Sequence, residues 1–273
     1  MLAQRIVTAV AMLALFLAAL FFLPVSGWSV LILILVMQGV LEWARLCKFS
    51  GRAVYAYWCL TLVLILAIAW FDAYYSHQAW LVHFCIYALS AVLWLIVAPI
   101  WLIAGWQVRQ PLLLAMTGWV LLIPTGLAML DLRALSPWWL LGVMGLVWMA
   151  DIAAYFTGRA FGKTRLAPNI SPSKTWEGVM GALLGVTGYV LLVTFMSNAS
   201  VLRNMLPVLI LISWWWVGLA VIGDLFESAM KRQAGVKDSG TLLPGHGGML
   251  DRIDALTSTL PLAAMLLLSM RLA

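Results

Sequence analysis

The chain of 273 residues is 65% hydrophobic and only 10% charged, with sixteen Lys and Arg against ten Asp and Glu and a formal net charge of +6. Since a bilayer-spanning helix uses about 20 mostly apolar residues, this composition describes an all-α, polytopic integral membrane protein with little mass outside the lipid. It excludes a soluble catalytic domain, a disordered chain and a disulfide scaffold, and its positive excess reads as topology information and attraction to anionic lipid, with no nucleic-acid partner expected.

Long apolar runs broken by charge, Pro or Gly predict about nine transmembrane helices, near 6–23, 27–44, 54–71, 79–103, 110–130, 136–157, 175–196, 205–227 and 250–270. The first follows Arg5 and is expected to be a retained anchor, because Pro24-Val25-Ser26-Gly27 offers no convincing small-x-small cleavage site. Cys47, Cys59 and Cys85, odd in number and without CxxC spacing, read as apolar structural residues. Nine spans sort thirteen of the sixteen basic residues to one side, leaving only Arg133, Arg203 and Arg271 on the other. That asymmetry predicts an N-terminus inside, a C-terminus outside and cytoplasmic loops 158–174 and 228–249. Seven of the ten acids lie after residue 150. The expected organisation is one membrane domain, 1–273, in which 1–140 is mostly scaffold and 151–273 is the catalytic half.

In that half, Asp151 falls well inside an apolar run with Tyr155 one turn on, so it should face the protein interior or a wet cavity. Ser171-Pro172-Ser173-Lys174-Thr175 reads as a helix start bearing hydroxyls, a cation and exposed N–H groups, suited to anions; its basic neighbours Lys163 and Arg165 need do no more than fix orientation. Asp224, Glu227, Ser228 and Lys231 share one helical face at i, i+3, i+4, i+7. That face reads equally as a cation and phosphate site or as an interfacial ion-pair cluster. Next come Lys237 and Asp238, then Pro244-Gly245-His246-Gly247-Gly248, a polar loop that no helix could accommodate. Gly247 and Gly248 before a helix start suggest a phosphate held at the helix N-terminus, with His246 in a binding role at most. Asp251 and Asp254 occupy that helix's first turn, where one acid is explained as a cap while Arg252 and the second acid are not. Asp224, Asp251 and Asp254 are carboxylates of the kind that hold Mg²⁺ together with water and substrate phosphates. Phosphoryl or nucleotidyl transfer at a membrane surface is the chemistry indicated.

Ser228-x-Met230-Lys231-Arg232-x4-Lys237-Asp238-x-Gly240-x2-Leu243-Pro244-x-His246-Gly247-Gly248-Met249-x-Asp251-Arg252-Ile253-Asp254 resembles the signature of the phosphatidate cytidylyltransferases, or CDP-diacylglycerol synthases. The Ser171–Gly178 and Gly223-Asp224 stretches are similar to the family's as well, so the resemblance covers about 151–254, and 1–140 resembles it only as a set of spans. It implies the reaction CTP + phosphatidate → CDP-diacylglycerol + pyrophosphate, Mg²⁺ dependence with room for a second, monovalent cation such as K⁺, a homodimer, and a bacterial inner membrane with the active site facing the cytoplasm. It also implies Asp224, Ser228, Lys231, Arg232, Asp238, Asp251, Arg252 and Asp254 as the site; beside it the residue types and their placement give Ser171, Lys174, Thr175, Lys237, His246, Gly247 and Gly248 as phosphate-binding candidates. A phosphate monoester is largely dianionic at neutral pH, its second pKa lying near ~6, so the lipid phosphate needs no strong general base. The competing expectations are another lipid phosphotransferase and a transporter of an anionic lipid or ion, the latter using Asp151 and Asp224 as coupling sites.

Overall fold

The computed structural model describes residues 2–197, 200–240, 242 and 247–272. Its helices, in chain order, are α1 (Leu2–Phe22), α2 (Val25–Leu46), α3 (Gly51–Tyr74), α4 (Ser76–Val92), α5 (Ala98–Ala104), α6 (Pro111–Leu135), α7 (Pro137–Phe161), α8 (Trp176–Met196), α9 (Ser200–Asn204), α10 (Leu206–Ala234) and α11 (Leu250–Leu272). A π turn at Leu93–Val97 joins α4 to α5, so the two cross as one span. Among the described residues eight helices are long and apolar enough to cross a membrane, and α1 adds a shorter apolar stretch, Val10–Phe22. The nine expected spans each coincide with one of these helices.

Burial shows which helices are central. Every residue from Ala255 to Ala264 of α11 is buried, whereas α3 buries only Tyr57 and Thr61. A helix apolar on all sides and buried on all sides is a core helix, and one that is apolar but exposed faces lipid. The main core runs through α2, α6 and α11, with Trp28, Trp43, Trp94 and Phe226 fully buried in it. A smaller one, of Ala150, Ala182, Val186 and Val217, joins α7, α8 and α10.

Two close crossings set the positions of the site's acids. At Gly223 of α10 a Cβ would stand 2.6 Å from Ser258 Oγ and 2.7 Å from the Asp254 carbonyl, and Ser258 Oγ donates to the Leu219 carbonyl at 2.8 Å. Small residues let membrane helices approach this closely. The crossing puts Asp224 and Asp254 on facing helices at one level. Gly181 and Gly185 of α8 likewise admit Thr157 and Ala153 of α7.

Two boundaries differ from the sequence expectation. The segment 158–174 is not one polar loop: α7 continues to Phe161, and Arg165–Ala167 (β1) pairs antiparallel with Ser171–Thr175 (β2). Nor do Ser171 and Pro172 begin a helix. Pro172 holds its predecessor extended, and α8 begins only at Trp176, where the Thr175 hydroxyl caps it by accepting from Gly178 N at 3.1 Å. The Glu177 carboxylate closes the hairpin onto that helix, accepting from Thr164 N at 3.1 and 3.2 Å. At the second boundary α10 extends to Ala234 and stops at Gly235 in the left-handed region (φ 78°), so the loop begins at 235 and not at 228.

At the end of the bundle away from these loops, His83 of α4 joins α3 to α6. Its Nε2 is 3.1 Å from both Asp72 oxygens and its Nδ1 is 2.8 Å from Asp131 Oδ2, which also accepts from the Tyr87 hydroxyl at 2.8 Å. Arg133 there donates to the Leu20 and Leu23 carbonyls, closing the C-terminus of α1.

Candidate active site

The loops after α2, α5, α7 and α10 gather at one end of the bundle, where α10 separates two groups of charges. On one side α7, β2, α8 and α10 enclose a cavity of about 510 Å³. Asp151, Tyr155, Arg159, Lys174, Thr175 and Asp224 supply its polar wall, and Ala150, Val217 and Val221 part of its apolar wall. Lys174 Nζ meets Asp224 Oδ2 at 2.6 Å, with neither side chain fully buried, and Ser228 Oγ donates to Asp224 Oδ1 at 3.4 Å. Arg159 donates to the Tyr155 hydroxyl at 3.0 Å on the rim. Asp151 interacts electrostatically with Asp224, Lys174 and Arg252, so all four belong to one charged cluster.

On the other side, between α10 and α11, the charges are locked together. Lys231 Nζ lies 2.7 Å from Glu227 Oε2 and 2.6 Å from Asp251 Oδ1, and the three side chains are 13, 5 and 6% exposed. Asp251 Oδ2 accepts from Ser239 N at 2.9 Å and Gly248 N at 2.8 Å, and lies 2.9 Å from Ser239 Oγ. The next two amides, Met249 N and Leu250 N, donate to Glu42 of α2 at 2.9 Å each. The start of α11 is therefore filled by two protein carboxylates. Gly248 does not present a free N–H group to a phosphate, as its sequence context suggested; Gly247, at φ 81°, shapes the turn that brings Gly248 N to Asp251.

Arg232 makes no salt bridge with the acids among the described residues and donates to the Ile170 carbonyl in the hairpin turn at 3.2 Å. Thr175 serves α8 as its cap while facing the cavity, and Ser171 pairs with Ala167 in the hairpin. Lys237 and Asp238 are exposed at the start of the loop, and Arg252 is exposed on the first turn of α11. His246 lies outside the described residues. Glu42 and Ser239 were not anticipated from the sequence. The signal for Glu42 was the one that singled out Asp151, an acid inside an apolar span.

Mg²⁺ can be tested against the donor set. Among the described residues no three of His, Cys, Asp or Glu converge as a metal cage. Yet Asp224, Glu227 and Asp254 interact electrostatically, and Glu227 Oε1, with the residue 4% exposed, accepts no hydrogen bond. Hard oxygen donors in that setting suit an ion held through one or two carboxylates, phosphate oxygens and water. Asp224 and Asp254 fit that role. Asp251, also expected to be a ligand, has Oδ1 on Lys231 and Oδ2 on Ser239 and Gly248 at 2.9 Å or less, and so is more fully engaged than Asp224, whose Oδ2 meets Lys174 but whose Oδ1 takes only the 3.4 Å contact from Ser228.

Fold and site together describe an integral membrane protein with acids, bases and an amphipathic cavity at one end of its helical bundle. The chain is a member of the cytidylyltransferase family, whose model matches residues 3–270. It is 38% identical to the phosphatidate cytidylyltransferase of Pseudomonas aeruginosa, over 98% of this chain and 97% of that one. It is 34% identical to the enzyme of the same name from Haemophilus influenzae, over 96% of both chains. With the one from Thermotoga maritima it shares 45% identity over 44% of this chain.

Proposed function

We propose that this chain transfers the cytidylyl group of CTP to phosphatidate, forming CDP-diacylglycerol and pyrophosphate, in a bacterial inner membrane with the α10–α11 loop facing the cytoplasm. The observation that carries this reading is the cavity, which joins the Lys174–Asp224 pair to an apolar wall of membrane-spanning helices. A phosphate on a diacyl lipid needs that combination. A phosphate oxygen of the lipid attacks the α-phosphorus of CTP; a new P–O bond forms, the bond to the β-phosphate oxygen breaks, and pyrophosphate leaves with the electron pair. The protein's task is to align two anions that repel each other and to screen the charge that builds on the leaving group. Lys174 and Arg159 line the cavity and Arg252 is within electrostatic reach of its acids, so these cations do the screening. Asp224 and Asp254 would hold Mg²⁺, which when bound supplies neutralisation at the phosphate oxygens. Lys231 and Asp251 act one layer behind, keeping the α10 and α11 faces in register. Ser228 orients Asp224, Arg232 anchors the hairpin, and a homodimer is part of the same proposal.

Purified protein in mixed micelles with CTP, phosphatidate and Mg²⁺ tests the reading. Formation of CDP-diacylglycerol, abolished by chelation, is expected. No product under these conditions, or equal use of ATP, would overturn it in favour of another lipid phosphotransferase. Since micelles hold no compartments, turnover there also excludes transport as the sole activity.

A further inference from the structure

We infer that Glu42 of α2, remote in sequence from the acids of the site, is a positioning residue for the transfer reaction, because it fixes the junction between the 235–249 loop and α11. Donors converge on it from three directions. Its Oε1 accepts from Gln38 Nε2 at 3.1 Å and Met249 N at 2.9 Å, and its Oε2 accepts from Leu250 N at 2.9 Å. Ser239 Oγ lies 2.9 Å from Glu42 Oε2 and 2.9 Å from Asp251 Oδ2, so one hydroxyl sits between two carboxylates and donates its single proton to one of them at a time. A group that only accepts is what a carboxylate provides and what an amide or hydroxyl in its place could not.

Glu42 is fully buried, and among the described residues no Lys or Arg pairs with it. A buried carboxylate without a cation is costly. Here the compensation comes from the first N–H groups of a 23-residue helix and the positive end of its dipole. Gly240 and Gly248 are fitted around that carboxylate. A Cβ at Gly240 would stand 2.9 Å from Glu42 Oε1, and one at Gly248 would collide with Glu42 Oε2 and Ser239 Oγ. These two glycines of the signature stretch therefore make room for a protein carboxylate.

The catalytic consequence follows from what the junction carries. Asp251 holds Lys231, Lys231 holds Glu227, and Asp254 lies one turn further on beside Asp224. If the first turn of α11 rotates or frays, that register is lost while the cavity residues on α7, β2 and α8 stay in place. The inference rests on the placement of the reaction at these acids. It predicts that Glu42 affects turnover more than substrate affinity.

The test compares full-length wild type with Glu42→Gln, Glu42→Asp and Ser239→Ala, measuring steady-state kinetics and amide exchange over 247–251. Gln keeps the size but turns an N–H donor toward N–H donors. Its kcat should fall about tenfold to a hundredfold, the loss that a small misplacement produces, with KM for CTP within about threefold. The amides of Met249 and Leu250 should exchange at least about tenfold faster. Asp, which keeps the acceptor character, should recover part of both losses. A Gln variant with wild-type kcat, or one with wild-type amide protection, overturns the inference. Should Gln prevent folding, Ser239→Ala removes only the bridging hydroxyl, and an unchanged kcat there overturns it as well. If wild type itself transfers no cytidylyl group, the functional reading fails, while amide exchange still decides whether Glu42 holds the junction.

Discussion

Asp224 is the acid on which cavity and helix interior meet: one oxygen binds Lys174 of the hairpin, and the residue interacts electrostatically with Asp151, Glu227 and Asp254. Asp224→Asn should therefore lower kcat/KM by about a hundredfold or more, the scale of removing one preorganised electrostatic contact, in a micellar assay of CDP-diacylglycerol formation. Lys174→Gln should lower kcat as well as raise KM, since it deletes a cation that screens the reacting phosphates, while leaving the α10–α11 register and hence the melting temperature nearly intact. Lys231 behaves differently. Lys231→Met would leave Glu227 and Asp251 buried without their cation, which costs about 3–5 kcal/mol and should appear as a large drop in the melting temperature in detergent, in addition to lost activity. The acids were legible in the sequence because an ionised group in an apolar run stands out. Their partners were not: the same spacing rule that put Lys231 on the face of Asp224 gave no hint that it reaches across to Asp251.

At the scale of helices and strands, the sequence located every span, since long apolar runs admit few alternatives in lipid. It misplaced what lies between them. Ser171-Pro172 carries polar groups typical of a helix start, but the proline's constraint on Ser171 and the pairing with Arg165–Ala167 override that pattern. The glycines before α11 suggested a backbone approach to a phosphate, whereas the groups at Gly248, Met249 and Leu250 are protein carboxylates, one of them from α2, which local pattern could not reveal. Close helix packing gives a paired test. A Cβ at Gly223 meets Ser258 and the Asp254 carbonyl, whereas one at Gly142 of α7 meets nothing. Gly223→Ala should cost about 1–3 kcal/mol from overpacking and separate Asp224 from Asp254, lowering activity. Gly142→Ala should leave activity unchanged and stability equal or up to about 1 kcal/mol higher, both read by detergent melting curves and turnover.

For the whole molecule, the distribution of charge carries the argument about sidedness. The loops that gather around the cavity hold most of the basic residues, and the opposite end keeps Arg133 and Arg203. With the native cysteines replaced, Leu242→Cys, an exposed position in the α10–α11 loop, should react with a membrane-impermeant maleimide in inverted vesicles and not in intact spheroplasts. The reverse pattern would turn the protein over in the membrane and put CTP out of reach. The expected division into a scaffold over 1–140 and a catalytic half over 151–273 is crossed by hydrogen bonds, because α2 reaches through Glu42 to the start of α11 and Gln233 of α10 donates to the Val108 carbonyl.

That crossing gives the bundle a mechanical character. A chain pulled from its C-terminus would surrender the outer turns of α11 first and meet its strongest resistance at Leu250 and Asp251, where α2 and α10 both hold the helix. The His83 link binds α3, α4 and α6 at the other end, so the outer end of the scaffold would remain laced after α11 had been drawn out. The last helix is thus the element whose extraction from the bilayer would both disarm the site and open the buried core on which α2, α6 and α10 pack.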